Sequence, residues 1–290
     1  MWEISGLDDE KHPYHAELAA AIAAATAAGA VVREYYDAAN AKTYGKVDGS
    51  PVTDADLASD KVIRKVISQR FPDDPILTEE GQDDEQRLAS RRLWIADPVD
   101  GTEQFIQRTG EFDVLMAFVF DGRPVAVAGF QPTTGVLVTA TEGGGAWVRE
   151  GDGEPQRVTF ELAGVRLRLA TSKWFGAPEN AAIVQAAAGL LDTGPEPPAV
   201  TGFTPRMFLA PRALDVMIGV RPGEEQDMAS EWDFAVADLV FHEAGGMVTD
   251  LAGQRFRYNK QIPRNIGGLI ASVDAATHAR VAEALRAARL

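Results

Sequence analysis

The stretch Trp94-Ile95-Ala96-Asp97-Pro98-Val99-Asp100-Gly101-Thr102-Glu103-Gln104-Phe105 carries more of the reading than any other part of the chain. Its apolar lead, Leu93 to Ala96, reads as the end of a buried strand. Two acids follow, Asp97 and Asp100, on either side of Pro98. Proline fixes φ and has no N–H, so it holds the backbone open between them. Gly101 permits a conformation or a close approach that a side chain would block. The amides after Asp100 then begin a helix, where anions bind favourably. Hard oxygen ligands beside such a start suit Mg2+ and a phosphate oxygen together. That points to phosphate-ester chemistry.

Composition sets the limits around this stretch. With 290 residues and 46% hydrophobic content, the chain can bury a large core as one domain or two fused ones. A net charge of −15 argues against general binding to nucleic acid polymers or anionic membranes, which want basic surfaces. It also sits awkwardly with an anionic substrate unless metal ions reverse the local sign. There is no cysteine, which excludes disulfides, thiol catalysis and cysteine-based zinc sites. The start, Met1-Trp2-Glu3-Ile4, lacks the basic-then-apolar pattern of a signal peptide. No uninterrupted apolar stretch approaches a bilayer-spanning length, so a soluble, cytoplasmic protein is expected.

Outward from the motif the pattern is mixed. His15 to Asp37 is alanine-rich at helical spacing, and a second helix starts near Thr53 or Asp54 and runs through Val62, Ile63, Val66 and Ile67. Gly45 to Pro51 is a turn-rich break, and Pro72-Asp73-Asp74-Pro75 stops the second helix before a short strand that delivers Glu79 and Glu80. Val114–Phe120, Val125–Gln131 and Val136–Thr141 read as an antiparallel meander joined at Asp121-Gly122 and Thr133-Thr134-Gly135. The polar stretch Glu150–Pro155 divides the chain into an N-terminal α+β part, 1–150, and a C-terminal α/β part, 151–290. In the second part, strands are expected at Val165–Thr171, Ala213–Val220 and Leu269–Val273, with helices at Glu179–Leu191, Glu231–Ala244 and Ala275–Leu290. Strands interleaved with paired helices suggest layered α+β sheets.

Taken singly, an acid near a helix start is more often a capping or dipole-complementing residue than a ligand, and Asp233 alone reads that way. Asp97 and Asp100 are different. They follow a buried strand together, and several acids near a buried site need counter-charge, which metal ions provide. The four histidines are scattered without metal-binding spacing. Gly143-Gly144-Gly145 lacks the Lys-Ser/Thr of a phosphate loop and reads as a tight turn. Trp94, Phe105, Phe118 and Phe130 read as core.

Asp97-Pro98-Val99-Asp100-Gly101-Thr102 resembles the Asp-Pro-hydrophobic-Asp-Gly-Thr signature of the inositol monophosphatase-like superfamily of lithium-sensitive phosphatases. Trp232-Asp233 with Glu243-Ala244-Gly245-Gly246 resembles its second signature, Glu79-Glu80 its upstream acidic pair and Val52-Thr53-Asp54-Ala55-Asp56 its N-terminal motif. The four occur in family order over nearly the whole chain. The resemblance implies an α+β fold of layered αβαβα sandwich type. It implies two or three Mg2+ ions, replaceable by Mn2+, on Glu79, Asp97, Asp100, Asp233 and the Val99 carbonyl. It implies that Thr102, with Glu79 or Asp56, orients and deprotonates the attacking water, that the Gly101 and Thr102 amides hold the phosphate, and that no phosphoenzyme forms.

Ser50–Asp56, Gly110-Glu111-Phe112 and Ser230–Asp233 look most like the bisphosphate nucleotidase branch, which implies adenosine 3',5'-bisphosphate as substrate. Two segments depart from that branch. Glu103-Gln104 stands where Lys-Glu is usual, and Gly202–Phe208 replaces a Gly-Ser-Ser-x-Lys-Phe segment. Arg206 and Lys173 are candidates for a second phosphate, and Trp174-Phe175 for stacking on a base, although core packing is the stronger reading of that pair. Inositol 1-phosphate, histidinol phosphate and fructose 1,6-bisphosphate remain alternatives, as does a non-catalytic phosphometabolite-binding member of the fold. A homodimer is left open.

Overall fold

The computed structural model describes residues 11–46, 49–162, 164, 166–172, 178–193, 199–200, 204, 207, 214–220 and 227–288. In chain order it begins with helix α1 (His15–Ala38), a short hairpin of β1 (Thr43–Gly45) and β2 (Pro51–Thr53), helix α2 (Asp54–Arg70) and strand β3 (Ile76–Thr78). A 3-10 turn at Glu85–Ala89 leads into β4 (Arg92–Asp100) and the one-turn helix α3 (Thr102–Ile106). Then come β5 (Asp113–Phe120), β6 (Arg123–Gln131), β7 (Val136–Thr141), β8 (Gly145–Glu150) and β9 (Gln156–Val158). The remainder is β10 (Leu169–Ser172), α4 (Pro178–Leu190), β11 (Ala199–Val200), β12 (Val216–Val220), β13 (Asp227–Ser230), α5 (Glu231–Glu243), β14 (Met247–Thr249), β15 (Arg264–Ile266), β16 (Gly268–Ser272) and α6 (Ala275–Ala288).

Strands β3 to β9 form one seven-stranded sheet in sequence order, parallel only between β3 and β4. A five-stranded sheet has the order β11-β10-β12-β16-β14, with crossovers that local patterning does not reveal. Both sheets are apolar on both faces, and the alternation along each strand divides the side chains between layers. On β5, Val114, Met116 and Phe118 face a core shared with α1 and α2, while Leu115, Ala117 and Val119 face α5. On β16, Leu269 and Ala271 join the α5 core, while Ile270 joins the core under α4 and α6. The layers therefore run α1/α2, first sheet, α5, second sheet, α4/α6, which is the αβαβα sandwich that the family resemblance implies. Each fully buried large side chain in these cores, such as Trp94, Phe112 or Phe118, contributes about 1.5–3 kcal/mol.

Several expectations change in detail. Strand β4 does not end before the acids but continues through Pro98 to Asp100, with its register against β5 shifted between Asp97 and Asp100. A bulge accommodates a residue without an N–H, and the Pro98 carbonyl accepts a hydrogen bond from Ser59 Oγ at 2.8 Å. The break expected from Gly45 to Pro51 is bounded by the paired strands β1 and β2. Residues 165 and 213, the first positions of two expected strands, lie outside the described residues. Helix α1, at 24 residues, is long and apolar enough by length and composition to cross a membrane, although Glu17, Arg33, Glu34 and Asp37 interrupt its apolar run. Here it is a core helix, with Ala20, Ala21, Ala24, Ala25, Ala28 and Val32 packed in the layer with α2 and the first sheet. The Gly143–Gly145 turn is held by the Glu243 carboxylate at the end of α5, which accepts from Gly143 N at 2.9 Å and Gly145 N at 3.0 Å.

Candidate metal and phosphate site

The site is assembled at the ends of four elements. The Glu79 amide donates to the Ala96 carbonyl at 3.3 Å, so the parallel pairing of β3 and β4 runs on into the acids and sets Glu79 alongside Asp97. The turn that carries Glu79 and Glu80 is braced by Thr78. Its hydroxyl donates to Asp60 Oδ1 at 2.6 Å and accepts from Arg64 Nη2 at 2.7 Å and Gly81 N at 3.0 Å.

Asp56 and Asp233 reach the site by the same local device. Thr53 is the N-cap of α2 and Asp56 its third residue; Ser230 is the N-cap of α5 and Asp233 its third. In each case one carboxylate oxygen turns back to the N-cap: Asp56 Oδ2 accepts from Thr53 N at 2.8 Å, and Asp233 Oδ2 from Ser230 N at 2.7 Å. This capping-box contact locks the side chain and leaves the other oxygen facing forward. For Asp56, that oxygen accepts from Thr102 Oγ1 at 2.9 Å. A carboxylate has two oxygens, so the capping reading of Asp233 does not exclude its reading as a ligand.

Among the described residues, Asp97, Asp100 and Asp233 form a group whose ligand oxygens lie within 4.8 Å of one another. The Val99 carbonyl is at the same corner, 3.2 Å from Thr102 Oγ1, and Asp97 Oδ1 is oriented by the Val99 amide at 2.9 Å. Gly101 has φ +98°, and a Cβ there would lie 2.9 Å from the Glu111 carbonyl oxygen. That explains glycine at this position. Burial, then the charges of Glu79, Asp100 and Asp233, push the Asp97 carboxyl well above its usual range. Burial and then Glu79 raise Asp100 to about 7. Burial, Asp100 and Glu79 likewise push Asp233 well up. Such mutual repulsion in an all-oxygen donor set fits a divalent cation.

Two neighbours escaped the sequence reading. Lys46, after β1, places Nζ 2.6 Å from Glu79 Oε1 and 2.5 Å from Glu80 Oε1. Burial works against its charge, but the two glutamates outweigh it and raise the ammonium's pKa. Glu80 is itself raised to about 7 by burial, with Glu79 and Asp56 adding to the shift. Asp113 faces Asp100 across the β4–β5 pair and is 1% exposed, with Oδ1 unpartnered; burial and then Asp100 push its carboxyl well up. A lone lysine in a turn and an acid opening an apolar strand give no local signal of either placement. Lys173, Trp174, Phe175 and Arg206 lie outside the described residues.

The inositol monophosphatase family model matches residues 14–290. The chain belongs to the inositol monophosphatase family. It is therefore a metal-dependent phosphatase. It is 30% identical to the 3'(2'),5'-bisphosphate nucleotidase CysQ of Aggregatibacter actinomycetemcomitans over 230 residues, 74% of this chain and 78% of that one. Other CysQ alignments reach 41% identity over 125 residues but span half of the relative's length. It is 29% identical to a histidinol-phosphatase of Mycobacterium tuberculosis over 82% of this chain and 89% of that one. The crystal structure of CysQ from Bacteroides thetaiotaomicron superposes with a TM-score of 0.74 at 27% identity, covering 89% of this chain and 98% of its own.

Proposed function

We propose that the chain is a Mg2+-dependent phosphomonoesterase that removes the 3'-phosphate of adenosine 3',5'-bisphosphate. The observation that carries the hydrolytic reading is the hydrogen bond from Thr102 to Asp56 beside the Asp97, Asp100 and Asp233 oxygens. Those three acids, with Glu79 and the Val99 carbonyl, hold the ions. When bound, the ions polarise the phosphoryl group and lower the pKa of a water, with Mn2+ able to replace Mg2+. Thr102 Oγ1 donates its proton to Asp56, so its lone pairs are free to accept a proton from the attacking water. Asp56, whose carboxyl burial raises despite hydrogen bonds from Thr53 and Thr102, is the terminal acceptor. The Gly101 and Thr102 amides, in a first helical turn without intrahelical partners, hold the phosphate oxygens.

The nucleotide is favoured by the CysQ relatives and by the matching segments at Ser50–Asp56, Gly110–Phe112 and Ser230–Asp233. Histidinol phosphate is the second reading, supported by a relative that aligns over more of the chain and by an exposed acid, Glu103, in place of a lysine next to Thr102. Phosphate release under one Mg2+ concentration separates them. Adenosine 3',5'-bisphosphate is expected to have the highest kcat/KM, ahead of histidinol phosphate, inositol 1-phosphate and fructose 1,6-bisphosphate. A higher kcat/KM for any of the other three overturns the substrate assignment and leaves the phosphatase intact.

A further inference from the structure

Two residues before Asp233, Glu231 opens α5 and is fully buried. A buried carboxylate must find donors. Glu231 accepts from Asn259 N at 2.8 Å and Lys260 N at 3.1 Å, and it pairs with Lys260 Nζ at 2.7 Å. The same ammonium donates to Asn265 Oδ1 at 3.1 Å and to the Arg257 carbonyl at 2.7 Å. The Glu231 amide donates to the Pro263 carbonyl at 2.9 Å. The segment from 257 to 265 is therefore folded around the first turn of α5.

On its other side, that segment is tied to the first sheet. Asn259, in the left-handed region at φ +65°, donates from Nδ2 to the Arg87 carbonyl at 3.0 Å and accepts from Arg87 Nη1 at 2.8 Å. Arg87 is 2% exposed, donates also to the Lys260 carbonyl at 3.0 Å and forks onto Asp83. It sits in the 3-10 turn between the Glu79-Glu80 pair and β4. An unbroken chain of contacts thus joins the segment entering β4, which holds Asp97 and Asp100, to the helix start that holds Asp233.

We propose that Glu231 is a positioning residue, which through Lys260, Asn259 and Arg87 fixes the first turn of α5 against β4 and so sets Asp233 at ligand distance from Asp97 and Asp100. The inference rests on reading Asp233 as a metal ligand. A buried ion pair contributes little net stability compared with apolar residues of the same volume. What it supplies is geometry. Three carboxyl groups with ligand oxygens within 4.8 Å of one another repel when ionised, which opposes the approach of the α5 terminus to β4, and a metal site tolerates only a few tenths of an ångström of error. Rigid anchoring of the ligand-bearing turn opposes that drift.

Mn2+ binding to the full chain, titrated by calorimetry, tests the role alongside kcat, KM and Tm. Glu231→Gln keeps the volume but cannot accept from both amides and the ammonium. It is expected to weaken Mn2+ binding about tenfold and to lower kcat without raising KM for the ester. Lys260→Met should do the same, and Lys260→Arg should recover binding to within about twofold of wild type. In an Asp233→Asn background, Glu231→Gln should change Mn2+ affinity by less than about twofold, because the ligand it positions is already lost. A lowered Tm with wild-type Mn2+ affinity in Glu231→Gln overturns the proposal, as do fully additive losses in the double variant. If Glu231→Gln does not fold, equal Mn2+ affinity in Lys260→Met and Lys260→Arg overturns it. Wild-type affinity in Asp233→Asn alone is a separate signature: it overturns the ligand reading and the positioning role with it.

Discussion

Thr102 has one hydroxyl proton and two acceptors in reach, Asp56 Oδ1 at 2.9 Å and the Val99 carbonyl at 3.2 Å. The shorter, charge-assisted bond to Asp56 takes the proton. Thr102→Ala removes this relay without removing an acid, so kcat should fall about 10²–10⁴-fold while Mg2+ affinity stays within about twofold. Steady-state kinetics and calorimetry on the same sample check both halves. The acids make a pH prediction for the metal-stripped protein. Asp100 moves from 3.8 unfolded to about 7 folded, through burial and Glu79. A raised carboxyl favours the folded state fully below pH 3.8, and that contribution is lost as the pH rises through about 7. Asp100→Asn carries no such charge. Its Tm should therefore match wild type near pH 4 and exceed it by a few degrees at pH 8, with added Mg2+ reversing the order. A wild-type advantage at pH 8 without metal would contradict the raised value.

At the scale of elements, the contiguous part of the candidate site is read from its own residues, and the dispersed acids Glu79, Asp56 and Asp233 through the motifs that carry the family resemblance. Asp97 to Thr102 stands out because polar residues interrupt an apolar strand and glycine follows at once. Asp56 and Asp233 are visible as helix starts, but the side-chain orientation that each takes depends on N-cap geometry that a sequence reports only as a capping motif. Lys46 meets Glu79 across 33 residues and Glu231 meets Lys260 across 29, pairings that no local periodicity encodes. The meander was legible from its turns. The order β11-β10-β12-β16-β14 was not, because every strand in it is short and apolar and its neighbours are distant in sequence. Gly101 joins β4 to α3 at φ +98°, and a Cβ there would meet the Glu111 carbonyl at 2.9 Å. Gly101→Ala should cost about 1–3 kcal/mol in urea unfolding and displace Thr102 enough to reduce turnover. Unchanged stability and turnover would show that the turn tolerates a side chain.

On the scale of the whole molecule, five layers bring the site together between the first sheet and α5, at the N-terminal end of that helix. Three cores fill the spaces between the layers, so both sheets bury apolar side chains on both faces. The net charge of −15 sets the remaining problem, since a phosphate ester approaches an acidic protein and an acidic site. On the proposed reading, divalent cations on Asp97, Asp100 and Asp233 would reverse that field at the site. Phosphate release from adenosine 3',5'-bisphosphate by the metal-stripped chain, followed while Mg2+ is titrated in, tests this most directly. The account predicts no release above background in excess chelator, full recovery with Mg2+, and no recovery for Asp233→Asn at the Mg2+ concentration that saturates wild type. Undiminished turnover by the stripped protein in excess chelator would contradict it.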